Sequence, residues 1–328
     1  MTVADSGKSG FVWPIAKWTL FLVLVYFVGQ RAVALWHSSP PTKLHVDVRW
    51  LAPAALLYLV GWFPSVWFWR SLLGHMGQHP RWYATVRAYF VGHLGKYVPG
   101  KALVLVIRAA LIKPEGCNPV LAALTAVYET LVFMAAGAAL GLALAPVVIP
   151  DGIWDRMPAT LQLLRRETFL VPLIVAIATI ASTPFSALLF TRIGRKGLPR
   201  GSDISQTKEI TARHVLEGVF ITSVGWTFNA FSLGCTLQAI SDDPLDLMQF
   251  PIWLASITLS TFAGFVILVA PGGLGVREWV LVEMLKDQPG MGGEKAVIAA
   301  GLLRAVWFCT ELVTAAILFA IKPNVDVK

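Results

Sequence analysis

Long apolar stretches, parted by short polar segments, recur along the whole chain. Runs of about 18 residues or more are long enough, as helices, to cross a hydrocarbon core of roughly 30 Å. The pattern predicts spans near residues 13–35, 50–73, 119–149, 168–190, 215–240, 250–270 and 296–321. A shorter amphipathic piece, 276–285, lies between the last two. The expected fold is all-α: a polytopic helical membrane protein of about 7–8 spans, one membrane domain over residues 1–328 without a soluble catalytic domain. Ala32-Val33-Ala34 looks like a signal-peptidase site. The apolar stretch before it is longer than a usual signal core and Gln30-Arg31 intrudes, so an uncleaved anchor is expected.

Two stretches, about 88–112 and about 269–287, fit no simple span. The first holds Gly92-His93-Leu94-Gly95-Lys96-Tyr97-Val98-Pro99-Gly100-Lys101 and the second Pro271-Gly272-Gly273-Leu274-Gly275-Val276-Arg277-Glu278. Proline removes an amide donor and blocks helix continuation, and glycine destabilises a helix interior. Non-helical backbone at membrane depth survives only inside protein or against a watery cavity. Re-entrant hairpins or discontinuous helices are therefore expected, and such a pair, one per half of the chain, marks a transporter's binding site. The alternative is two interfacial loops.

Charge gives direction. The stretch 192–213 carries Arg192, Arg195, Lys196, Arg200, Lys208 and Arg213 against Asp203 and Glu209, which places it in the cytoplasm. Asp242, Asp243 and Asp246 mark the next loop as external. Counting back puts the N-terminus inside if 88–112 enters and leaves on one side; the charges flanking the last span are nearly balanced, so they leave the C-terminus unassigned.

Composition agrees: 56% of residues are apolar, 14% charged, and 13 are Trp. Soluble domains have about 25% charged residues. The net charge of +8 sits mainly between apolar runs, where it meets anionic lipid; no zinc-finger spacing or RNA-binding aromatic motif accompanies it, so nucleic acid is not an expected partner. The odd, dispersed set Cys117, Cys235 and Cys309 is no disulfide framework.

The run Gly95-Lys96-Tyr97-Val98-Pro99-Gly100-Lys101, with Arg108 and Gly116 after it, resembles the "G-K-Y-x-P-G-K…R…G" signature of the flippase-like membrane family, also described as the lysylphosphatidylglycerol synthase transmembrane region. Pro271 to Glu278 resembles its second signature, "P-G-G-L-G-V-R-E". The resemblance covers essentially the whole chain and implies a multi-helix domain that moves or handles lipid-linked molecules. In multidomain relatives this domain accompanies a soluble aminoacyl-transferase. Seven residues follow Ile321 here, so no synthase activity is expected of this chain. Leu103 stands where many relatives have Trp, and Glu129-Thr130-Leu131-Val132-Phe133 keeps only the first acid of their "E-R-x-x-D".

The expected substrate-binding set is Lys96, Pro99, Gly100, Lys101, Arg108, Pro271, Gly272, Gly273, Gly275, Arg277 and Glu278. Phosphate needs fixed positive charge and free N–H groups, which helices starting after Gly100 or Gly275 would supply. Otherwise these bases are orientation signals. Glu129, deep in a span, reads as a buried relay, the partner of a base, or a neutral hydrogen-bonded carboxyl. Arg304 and Glu311, seven apart, share a helix face and could line a cavity or pair with Glu278, Arg277 or Glu129; otherwise Arg304 snorkels to the surface. His75 and His79 have metal-like spacing, yet Gly77, Pro80 and the lack of a third ligand favour a loop. Asn229 and Gln238 read as interhelical hydrogen-bond partners. No catalytic triad, nucleotide loop, cofactor site or metal site is expected.

The leading expectation is a lipid flippase, transporter or accessory protein in a cell (inner) membrane. It would bind an anionic phospholipid or polyprenyl-phosphate-linked head group and work beside envelope-biosynthesis enzymes. The alternatives are an integral-membrane transferase acting on a lipid phosphate and a non-transporting scaffold. Cysteines placed near Lys196 should be protected from an impermeant thiol reagent added outside, and ones near Asp243 labelled; the reverse pattern overturns the orientation.

Overall fold

A backbone in lipid satisfies its own hydrogen bonds, and this chain does so with helices; no strand occurs among the described residues. The computed structural model describes residues 30, 46–97, 102–149, 151–197, 209–241, 243–267 and 271–321. The expected first span, the Ala32-Val33-Ala34 site, Asp242, most of the basic loop, and Pro99, Gly100 and Lys101 lie outside them.

Among the described residues the ten main helices are α1 (Leu51–Gly61), α2 (Phe63–His75), α3 (Trp82–His93), α4 (Ala102–Ile112), α5 (Pro119–Val148), α6 (Leu170–Gly197), α7 (Ala212–Gln238), α8 (Phe250–Val266), α9 (Val276–Leu285) and α10 (Gly292–Ala320). Among the described residues, five stretches are long and apolar enough to cross a bilayer: Val48–His75, Pro119–Val148, Leu170–Ile193, Leu247–Val266 and Gly292–Ala320. α7 has 27 residues, about 40 Å at 1.5 Å per residue, and runs through the centre of the bundle. Its Thr222, Asn229, Ser232 and Thr236 are buried in protein, which makes it less apolar than the helices that face lipid. Small residues let it approach α1: a Cβ on Gly225 would lie 2.6 Å from the Gly61 carbonyl oxygen. At the start of α5, Pro119 occupies the first turn and the Asn118 side chain accepts from the N–H groups of Val120 and Leu121.

Contacts at the helix ends sort them into two faces. Asp47 N–H donates to Ala239 O, so α1 starts where α7 ends. His75 Nε2 meets His214 Nε2 at 2.7 Å, joining the end of α2 to the start of α7 at the other face. Arg81 and Glu115 form an ion pair of 2.7 Å between the residue before α3 and the turn after α4. α3 and α4 are therefore the legs of a re-entrant hairpin, closed at its base by that pair, with Leu94–Tyr97 as a 3₁₀ turn at its tip. The same face receives the end of α10, because Tyr83 donates to Ile321 O and Arg87 to Leu318 O. That contact assigns the C-terminal end of the last span, which charge alone left open.

The second hairpin enters from the opposite face. α8 leaves the loop that follows α7, the Pro271–Gly273 turn reverses the chain, and α9 returns until Glu283 lies 4.0 Å from Arg156, in the segment after α5. α8, which lies in the 250–270 stretch expected as a crossing span and is long and apolar enough for one, leads into the turn of the second broken segment, and α9 runs back from it. Gln238 departs from expectation: its amide donates to Asp243 O in the adjoining loop, while Asn229 Oδ1 has no hydrogen-bond partner among the described residues.

Bonding to the Arg81 side chain is the main reason the Glu115 carboxyl titrates below its usual range. Its charged form therefore stabilises the fold at neutral pH, and that contribution is lost as pH falls through the depressed value, below the ordinary carboxylate value of about 4.3. Arg81 is half exposed, so the pair contributes about 1 kcal/mol or less. Glu115→Gln should lower the thermal unfolding temperature at pH 7 and leave it unchanged at pH 3; a difference that persists at pH 3 would exclude the ionic clasp as its cause.

Candidate functional site: a chamber between opposed hairpins

The two hairpin tips meet inside the bundle, and glycine permits it. A Cβ at Gly95 would fall 2.5 Å from Val104 N, so the legs of the first hairpin close only without one. Gly273 has φ +71°, and its Cβ would be 3.1 Å from Gly264 Cα on α8. Gly275, also at positive φ, starts α9, and its N–H donates to Glu278 Oε2 at 2.8 Å.

Three buried or half-buried carboxylates organise the bases around this junction. Glu129 on α5 accepts from Arg108 Nη1 and from the Tyr89 hydroxyl, each at 3.0 Å. The side chains of both Arg108 and Glu129 are only 2% exposed, and the guanidinium lies 3.7 Å over the Tyr89 ring. Glu129 thus finds its base on the first hairpin, in place of the neighbour in its own span that Thr130 replaces. Glu311 on α10 takes the hydroxyls of Tyr58 and Tyr97 and the Lys96 ammonium at 2.5 Å. Glu278 lies 3.4 Å from Arg304 Nη1, which also donates to Gly272 O at 3.0 Å. Arg304 therefore holds the second hairpin tip and does not snorkel to the surface.

Arg277 differs from these bases. It is 7% exposed, and among the described residues no carboxylate lies within 4 Å of it and no hydrogen bond holds its guanidinium. The group rests 4.2 Å over the Trp307 ring. Trp307 is oriented in turn by Ser232: its Nε1 donates to Ser232 Oγ at 2.9 Å, and that hydroxyl donates to Ala54 O at 2.7 Å.

Between the tips lies a chamber of about 370 Å³. Lys96, Arg108, Glu129, Gly272, Gly273 and Arg277 line it, with an aromatic wall of Tyr58, Trp62, Tyr89, Phe133 and Trp307. Val127 and Leu131 of α5 also line it and are 40% and 50% exposed on the apolar outer surface, so the chamber opens sideways toward the hydrocarbon.

With this geometry in view, the model of one family, the lysylphosphatidylglycerol synthase TM region, matches residues 14–314. The chain belongs to that family. No curated protein matches it significantly.

The two signatures of this lysylphosphatidylglycerol synthase TM-region protein converge in space. Of the expected binding set, Lys96, Arg108, Gly272, Gly273 and Arg277 surround the chamber, while Gly275 and Glu278 build the start of α9 beside it. Pro271 opens the second turn. Glu311 pairs with Lys96 rather than with Arg277 or Glu129. The aromatic wall was not foreseen. Of its members, Trp307, three residues after Arg304 and four before Glu311, shares their helix face. His75 is engaged with His214 and Ser71 O, and among the described residues no group of three or more His, Cys, Asp or Glu could hold a metal ion.

Removing one member of a dry ion pair leaves the other uncompensated, at a cost of about 3–5 kcal/mol. Glu129→Gln should therefore lower thermal stability in detergent strongly, and Arg108→Met added to it should restore much of the loss. Additive losses would mean that the two residues are not coupled.

Proposed function

We propose that the chamber receives the anionic head group of a membrane lipid, and that the protein moves or hands on that lipid during cell-envelope biogenesis. The observation that carries this reading is Arg277, a desolvated guanidinium in the chamber wall without a carboxylate partner among the described residues. A buried cation held only by an aromatic face is costly until an anion joins it. Phosphate suits it, because guanidinium meets two phosphate oxygens in one plane. Lys96 stands in the same wall. The sideways opening at Val127 and Leu131 lets the acyl or prenyl tails stay in the bilayer while the head group enters.

Hairpins inserted from opposite faces suit a transporter better than a one-sided transferase, since separating either pair of legs would expose the same chamber to a different side. Among the described residues around the chamber, Glu129, Glu278 and Glu311 are each engaged by a base, an arrangement that suits holding a ligand better than acid–base work on a lipid phosphate. We place the protein in an inner membrane. The face bearing Arg81, Arg87, Lys113, Arg192 and Arg213 then lies toward the cytoplasm, with the N-terminus on that side. Enzymes of envelope biosynthesis are the natural sources or recipients of the lipid.

The test is binding of phosphatidylglycerol to purified, folded protein, with phosphatidylcholine as control. Arg277→Gln should weaken phosphatidylglycerol binding about tenfold or more, a loss of about 1.4 kcal/mol, and leave the control unchanged. Arg277→Lys should bind weakly too, because an ammonium lacks the planar fork. Unchanged affinity in both variants would remove Arg277 from the site.

A further inference from the structure

One titratable side chain in the chamber has no part in the reading above. His93, in the last turn of α3, lines the chamber and is about nine-tenths buried. Among the described residues its Nε2 has no hydrogen-bond partner, and it lies 3.6 Å from Glu311 Oε1. The same oxygen takes the Lys96 ammonium at 2.5 Å. Trp62 meets the imidazole edge-on at 4.2 Å, and Tyr89 stacks at 6.1 Å, so the ring is held facing the carboxylate. Two basic groups thus face one oxygen. Both as cations would repel each other in a dry interior, so the Lys96 pair and an imidazolium pair are alternatives.

We propose that head-group binding is coupled to uptake of one proton at His93: the bound phosphate draws Lys96 away from Glu311, and the imidazolium of His93 takes its place. This inference rests on the head-group reading of the chamber. Lys96 has a flexible stem and lines the same wall as Arg277, so a phosphate at Arg277 offers it a second anion. Once the ammonium leaves, Glu311 keeps the neutral hydroxyls of Tyr58 and Tyr97 but has no bonded cation. A buried carboxylate in that condition favours a proton on the imidazole beside it. A buffer acid in the surrounding solution gives up the proton and is left as its conjugate base; as its bond to hydrogen breaks, the lone pair on the imidazole Nε2 forms the new N–H bond.

The groups facing this pair leave no rival base. Tyr58 on α1 and Tyr97 in the tip turn already donate to Glu311. Tyr89 on α3 and Arg108 on α4 are engaged with Glu129, Arg304 on α10 with Glu278 and Gly272 O, and Arg277 on α9 rests on Trp307.

The experiment is calorimetric titration of the full-length protein with short-chain phosphatidylglycerol at pH 7.5, in two buffers of different ionisation heat. Wild type should take up about one proton per lipid bound, and its affinity should fall by up to about tenfold per unit rise in pH. His93→Gln should still bind lipid but take up almost no protons. Lys96→Met should also lose the uptake, because its Glu311 lacks the ammonium before lipid arrives. Wild-type binding without proton uptake would overturn the coupling and leave the head-group site standing; no wild-type binding at all would remove both. Full proton uptake in either folded variant would also overturn the exchange.

Discussion

Broken backbone inside a bilayer has to be held by side chains, and here one of them is Arg304. Its guanidinium takes the Gly272 carbonyl and Glu278 together, which supplies a partner to a carbonyl that left-handed backbone at Gly272 turns away from any helix. Seven residues later on the same helix, Glu311 binds Lys96 and Tyr97 at the tip of the other hairpin. α10 therefore carries a base for one hairpin and an acid for the other. The Tyr97 ring lies 5.3 Å from the Arg304 guanidinium, so the base that holds one tip also faces the other. The chamber exists because both tips are tied to this one helix face.

The energetic arrangement around the chamber is uneven. Arg108 and Glu129 are almost wholly dry and mutually neutralising, which favours a rigid wall. Lys96 is more accessible and shares its carboxylate with three other groups, so it is the more exchangeable cation. Among the described residues Arg277 rests on an aromatic surface alone. A graded series results around a single cavity: a dry, paired base, a more accessible base that shares its carboxylate, and a base with no carboxylate among the described residues.

Much of this was legible beforehand. The spans follow from apolar length, and the Pro-Gly breaks pointed to re-entrant or discontinuous backbone because lipid tolerates non-helical backbone only inside protein or against water. Arg304 and Glu311 were read apart from the signature bases, with pairing across helices as one of the alternatives; the structure brings them to the hairpin tips. Pairing was not legible: nothing in the spacing says that Glu129 meets Arg108 while Glu311 meets Lys96, since each pair is set by how separate helices pack. The stretch before the second break is long and apolar enough for a full crossing, so its pattern alone does not show that the chain turns back after it. The aromatic wall was hidden for a related reason. Trp and Tyr serve equally at a membrane interface and around a buried cation, and only packing separates the two uses.

Ser232 gives the arrangement a longer reach than the list of chamber residues implies. Its hydroxyl joins a carbonyl of α1 to the indole of Trp307, and that indole is the platform beneath Arg277. The aim of the unpaired guanidinium is thus set by a small polar side chain on a different helix, outside the chamber's lining. The setting of this guanidinium is therefore open to drift by changes in the bundle's interior that leave every lining residue intact, and a comparison of chambers alone would miss them.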